Sequence, residues 1–234
     1  MDLIDKIFYL NLDRRVDRKE HLIKNCENAG ISMDKVERFI ALDGSTYQLN
    51  NDELKMFLNC DYKKGIFFSR IACNQLGHYN ILKEIVKREY SYTIILQDDV
   101  IFKDNFLNYL NKIMENFPKD ADILNIGLHK MGCGKHFIRW DFNNTPEEDY
   151  NIVGEERINE YICKLKNNVN PCSLAYIVTL QGAKELIKYF EKNGFKRATD
   201  HNFNGYCLEK NIFYQSLPAI CTGNENLGSD IFYR

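Results

Sequence analysis

The sequence predicts a single α/β domain, with a mostly parallel central sheet flanked by helices. Three observations carry this. Short apolar runs rich in β-branched residues alternate with amphipathic segments, the pattern of helix-to-strand units. One such run, residues 92–96, stops at Gln97-Asp98-Asp99, a carboxylate pair where a strand should end. No linker and no internal repeat divides the 234 residues, so one domain over 1–234 is expected.

Taken in order, Lys6-Ile7-Phe8-Tyr9-Leu10-Asn11-Leu12 reads as the first strand. It opens into Asp13-Arg14-Arg15-Val16-Asp17-Arg18, three arginines and two aspartates directly after a strand. Guanidinium groups pair well with phosphate, so one reading is a loop that meets a nucleotide. The other is a helix start capped by Asp13, with the arginines solvated or salt-bridged. Residues 20–29 have the spacing of an amphipathic helix closed by Gly30. Residues 36–41 form a second strand that ends at Leu42-Asp43-Gly44, and 45–65 a polar loop with one short helix around 52–59. In 69–86, apolar residues at 71, 78–79, 82 and 85–86 predict a helix that leads into the carboxylate strand.

Residues 106–117 predict an amphipathic helix stopped by Pro118, and 121–127 a further strand. From 128 to 168 the pattern dissolves, and a loop of that length in a compact domain is usually functional. Short strands are expected in part of it, and the stretch is expected to order over a bound ligand as a lid. A strand at 173–179 and a helix from 181 to 190 follow. Residues 198–203 are a polar turn with Asp200 and His201, 211–216 a last strand, and the remainder a loop-like tail.

A net charge of −2 argues against a nucleic-acid partner, which usually meets a basic stripe. No segment is apolar for long enough to span a bilayer. The start, Met1-Asp2-Leu3-Ile4-Asp5, is acidic where a signal peptide is basic, so a cytoplasmic setting is expected. Eight cysteines are scattered singly without a C-x-x-C, which predicts reduced, buried thiols.

The chemistry concentrates at Asp98 and Asp99. Core filling is excluded, because a buried unpaired charge is costly. Open α/β sheets bind ligands just beyond the C-terminal ends of their strands. Two hard oxygen donors there suit Mg²⁺ or Mn²⁺, and such an ion suits a diphosphate. The competing reading is a turn with both aspartates solvated or capping.

Four stretches together resemble the family 25 glycosyltransferases, which include bacterial lipooligosaccharide galactosyltransferases and procollagen galactosyltransferases. They are Phe8 to Arg18, Ala72-Cys73-Asn74-Gln75-Leu76-Gly77-His78, Ile94 to Val100, and Ala175 to Ala183, with Asp200 and Ser229-Asp230-Ile231 trailing in family order. The chain departs from the family where Gln97 stands for Glu, Ala72 for Gly and Gly77 for Ser.

The resemblance implies a GT-A-like nucleotide-sugar-binding fold. It implies a uridine-diphosphate (UDP) sugar donor, a hydroxyl acceptor on a glycan or a hydroxylysine-type residue, inversion at the anomeric carbon, and Mn²⁺ or Mg²⁺ as cofactor. Galactose or glucose is the implied sugar. Carried onto this sequence, donor binding falls to Asn11, Asp13, Arg14, Arg18, His78, Gln97 and Asp98. Metal binding falls to Asp99 assisted by Asp98, with Asp230 or Asn224 as third ligand. Asp200 is the implied general base; its alternative is a helix cap. His78 has an alternative as a core imidazole, and Trp140 is either an acceptor platform or a loop anchor. Gln97 brings no charge, so a catalytically weak or inactive sugar-nucleotide-binding homologue is the alternative reading. A nucleotidyltransferase is disfavoured because residues 13–18 contain no Gly, and a phosphatase or receiver domain because its nucleophile belongs near the first strand.

Overall fold

In β1 (Lys6–Asn11) every residue after Lys6 is buried, as a strand covered on both faces requires. The same holds for the middle of β3 (Tyr92–Gln97) and for most of β8 (Ala175–Thr179). The computed structural model describes residues 1–62, 65–128, 155–166 and 173–231. The other strands are β2 (Val36–Ile40), β4 (Val100–Phe102), β5 (Ile123–Asn125), β6 (Glu155–Arg157), β7 (Ile162–Leu165), β9 (Tyr214–Ser216) and β10 (Cys221–Gly223). The helices are α1 (Val16–Asn28), α2 (Asn51–Lys55), α3 (Ile66–Arg88), α4 (Phe106–Glu115), α5 (Leu180–Asn193) and α6 (Thr199–Glu209).

An 8-stranded sheet runs β2-β1-β3-β8-β5-β9-β7-β6. β2, β1, β3, β5, β9 and β6 share one direction; β8 and β7 are reversed. The expected α/β class and mostly parallel sheet are what the chain adopts. Right-handed crossovers place α1 and α3 on opposite faces, because β1 leads outward to β2 and β2 leads back past β1 to β3. α3, α5 and α6 pack against one another. Tyr176, Ile177 and Val178 of β8 are fully enclosed, and burying side chains of this size contributes about 1.5–3 kcal/mol each.

Four local expectations need correction. α1 begins at Val16, a turn before the amphipathic pattern starts, because its buried face is Arg18, Leu22 and Cys26, and its first member is charged. The carboxylate stretch is two strands: β3 belongs to the large sheet, while β4 leaves it and pairs antiparallel with β10. That pairing orders a tail expected to be loop. The turn at 198–203 is the first part of α6, whose hidden positions include Asn202 and Asn204 rather than an apolar stripe. Of the 128–168 stretch, 155–166 contain the expected short strands; the rest of the proposed lid, Trp140 included, lies outside the described residues. No described helix is long and apolar enough to cross a membrane.

Candidate functional site

β3 ends at Gln97 and the chain turns at Asp98-Asp99, so the pair stands at the C-terminal end of a central strand. Parallel pairing sets Leu10 of β1 beside Gln97 and delivers the loop after β1 to the same edge. Asn11 Nδ2 donates to Asp98 Oδ2 at 2.7 Å, and Arg18 Nη1 donates to Asp98 Oδ1 at 2.8 Å. Arg18 and Asp98 are each only 6% exposed, a buried ion pair in which both carboxylate oxygens are engaged. Arg38 secures Asn11 by donating to its Oδ1 at 2.8 Å, and also pairs with Asp13 at 2.7 Å. Gln97 Nε2 donates to Ser173 Oγ at 3.2 Å.

The two arginines before α1 face outward from this buried pair. Arg14 pairs with Asp43 at 2.6 Å and with Asp230 at 2.7 Å, and the hydrogen bond to Asp43 raises its pKa. Arg15 pairs with Asp230 and with Asp17, and holds the Asp17 carboxyl down at about 2. At Asp43 burial pushes the pKa up, but hydrogen bonds from Ser45 and Arg14 outweigh it and leave the group below its usual value. Arg15 Nη2 donates to the Leu227 carbonyl at 3.0 Å, and Arg18 donates to the Gly228 carbonyl. Arg18 also lies 3.6 Å from Asp99 and 3.8 Å from Asp230. The Asn224 N–H donates to the Asp99 carbonyl at 2.7 Å. Residues from both ends of the sequence thus close around the end of β3.

One pocket opens here. Of the residues singled out in the sequence, Arg14, Arg18, Gln97, Asp98, Asp99 and Asp230 line it. Asn11 lies behind it as the brace of Asp98, and Asp13 points outward with its side chain 71% exposed. Asp43, Gly44 and Arg70 also line it and were not assigned to the site, and Asn74 and Ser229 line it from within the family-like stretches, where they were given no role. The signals for them were slight: Asp43-Gly44 closes the second strand, and Arg70 and Asn74 are spaced one turn apart on α3. Gly44 is required by close approach, since a Cβ there would fall 2.5 Å from the Arg70 N and Cα atoms.

His78 is corrected. It is fully buried, shares a 2.8 Å hydrogen bond with the Tyr176 hydroxyl through Nδ1, and packs edge-on to Phe203. Burial lowers its pKa to about 3. Its helix lies tight on β1, where a Cβ on Gly77 would meet Leu10 at 2.9 Å, so that face of α3 belongs to the core. Asp200 does not line the pocket. It sits in the first turn of α6, after the N-cap Ala198, and its Oδ1 accepts from the His201 N–H at 2.8 Å. Its neighbour Thr199 donates to Asn74 Oδ1 at 2.8 Å, so the start of α6 abuts the pocket wall.

For a divalent cation the principal donor is Asp99, while Asp98 beside it already has both oxygens engaged by Asn11 and Arg18. Among the described residues no group of three or more His, Cys, Asp or Glu converges on a point. Asp230, the expected third ligand, has both oxygens engaged by Arg14 and Arg15. One or two carboxylates fit the way Mg²⁺-type ions are held with substrate phosphates, the phosphate oxygens and water completing the shell.

Residues 4–201 match the family described as Glycosyltransferase family 25 (LPS biosynthesis protein). The chain belongs to glycosyltransferase family 25. Relatives of this family-25 chain include Procollagen galactosyltransferase 2 of Homo sapiens, 29% identical over 196 residues, covering 78% of this chain and 27% of the relative. Another is the Inactive glycosyltransferase 25 family member 3 of Mus musculus, 28% identical over 192 residues, covering 78% and 28%. A solved glycosyltransferase structure, involved in the glycosylation of the major capsid of PBCV-1, covers 93% of this chain and 92% of its own at 9% identity, with a TM-score of 0.44. The family-25 chain therefore spans about a quarter of the length of these curated relatives.

Proposed function

We propose that this family-25 chain transfers a hexose, galactose or glucose, from a UDP-sugar to a hydroxyl of a glycan or a hydroxylysine-type residue, with inversion. The observation that carries the reading is the carboxylate pair at the C-terminal end of β3, in a pocket walled by arginines. This is where an open α/β sheet, here of GT-A type, receives a nucleotide. The name of the human relative, a galactosyltransferase, supports galactose.

In this reading Asp99, with Asp98 beside it, holds Mn²⁺ or Mg²⁺. When bound, the ion neutralises charge on the departing diphosphate. The Asn11 and Arg18 contacts keep Asp98 from rotating, and so fix the turn that presents Asp99. Gln97 offers an amide to a ribose hydroxyl. Asp200 takes the proton of the acceptor hydroxyl as that oxygen attacks the anomeric carbon from the face opposite the diphosphate. A reducing, cytoplasmic setting is part of this proposal.

The test is a panel of nucleotide sugars scored for thermal stabilisation and for donor hydrolysis, with and without Mn²⁺. Selective stabilisation by UDP-sugars together with Mn²⁺-dependent hydrolysis is the expected result; a flat response across the panel would overturn the reading. A second reading, a sugar-nucleotide-binding homologue with little turnover, is favoured by Gln97 and by the name of the mouse relative. It predicts stabilisation by UDP-sugars without hydrolysis or transfer.

A further inference from the structure

We infer that Arg70 is the anion-receiving side chain of the pocket and binds a phosphate oxygen of the donor's diphosphate. The inference rests on the reading of the site as a UDP-sugar pocket and assigns a residue that the sequence pattern did not mark. The other three arginines at the site are committed. Arg14 is held by Asp43 and Asp230, Arg15 by Asp17 and Asp230, and Arg18 by Asp98. A phosphate that reached any of them would compete with a carboxylate already in place.

Arg70 differs. Alone of the four it pairs with no carboxylate among the described residues, and its Nε, like that of Arg18, is buried without a hydrogen-bond acceptor. A buried donor in that state is costly, and more so on a charged group, so an acceptor supplied by a ligand has the greatest effect there. The planar guanidinium suits two phosphate oxygens at once. Its placement is rigid at the base. Arg70 stands one turn into α3, and the Gly44 backbone lies so close that even a methyl group would collide with the Arg70 backbone. The residue lines the pocket that holds Asp99, and also an adjoining cleft with Arg14, Ser229 and Asp230. A diphosphate between Asp99 and Arg70 would meet a metal-bearing carboxylate on one side and an uncommitted cation on the other.

The experiment titrates wild type, Arg70→Gln and Arg70→Lys with UDP, uridine and inorganic diphosphate at a fixed Mg²⁺ concentration, by calorimetry. The expected result is a loss of roughly tenfold or more in affinity for UDP and for diphosphate in Arg70→Gln, with partial recovery in Arg70→Lys. Unchanged melting temperatures should show that α3 is intact. UDP or diphosphate affinity within twofold of wild type in Arg70→Gln overturns the assignment, and leaves the UDP-sugar reading standing if UDP still binds. Wild type that binds neither UDP nor diphosphate overturns it as well. If diphosphate binds through Arg70 and UDP binds no tighter than diphosphate, the Arg70 site stands and the nucleotide reading fails.

Discussion

At the residue scale, the two adjacent aspartates differ in their partners. Asp98 has both oxygens in hydrogen bonds with buried neighbours, whereas Asp99 lies 3.6 Å from Arg18 and lines the pocket. Asp99→Ala is therefore expected to fold, to lose the Mn²⁺ enhancement of UDP binding, and to slow transfer by roughly 10²–10³. Titration with and without chelator checks it, and donor affinity indifferent to both changes would remove the metal role. Asp98→Ala instead strands the buried Arg18 charge and should cost about 3–5 kcal/mol in chemical denaturation. Gln97→Glu should keep or raise activity.

His78 gives a pH prediction. Its folded pKa is about 3 against about 6.5 when unfolded, so the unfolded chain binds the extra proton as pH falls. The stability it contributes is complete above about pH 6.5 and is lost progressively below it. From pH 7 to pH 5 the loss is about 2 kcal/mol. Denaturation of His78→Phe at the two pH values should show a correspondingly smaller decline, and an identical decline would contradict the assignment. Asp200→Asn separates base from structural role. As base it lowers transfer by roughly 10²–10⁴ with donor binding retained. As a mere acceptor for the His201 N–H, an Asn Oδ1 replaces it and transfer stays within a few-fold.

At the scale of elements, the tail is the part most open to test. Asp230 ties it to Arg14 and Arg15, and these side chains retain some solvent contact. Asp230→Ala should therefore change global stability by less than about 1 kcal/mol. Amide exchange in residues 224–231 should nonetheless rise while the strands of the large sheet stay protected; unaltered exchange would mean the arginines do not hold the tail. The elements legible in the sequence included those with an apolar signature, β1, β2, β3, α3, α4, β5, β8, α5 and β9, together with the short helix α2 and the short strands β6 and β7. Those that were not have a shared physical cause. The first turn of α1 buries Arg18, α6 buries asparagines, and β10 is three residues long and gains its order from a partner far away in sequence. Hydrophobic periodicity is blind to all three. The site divides the same way. The carboxylate pair and the arginine loop were readable because charge at a strand end has no packing purpose, whereas Arg70 and Asp43 enter the pocket only through the crossing of α3 over the end of β2.

At the scale of the whole molecule, β8 lies between β3 and β5, so strands from the two halves of the chain complete each other, and the site is not the property of one half. The bond from Arg15 to Leu227 spans 212 residues, and its pair with Asp230 spans 215. Contacts of such separation form late, since the intervening loop entropy must be overcome first. During synthesis the arginine loop and the aspartate turn leave the ribosome long before the segment that closes over them, and N-terminal parts fold first. A prematurely ended polypeptide would carry the acidic turn and the basic loop with no cover, so only a chain translated through residue 230 gains the Asp230 contacts to Arg14 and Arg15.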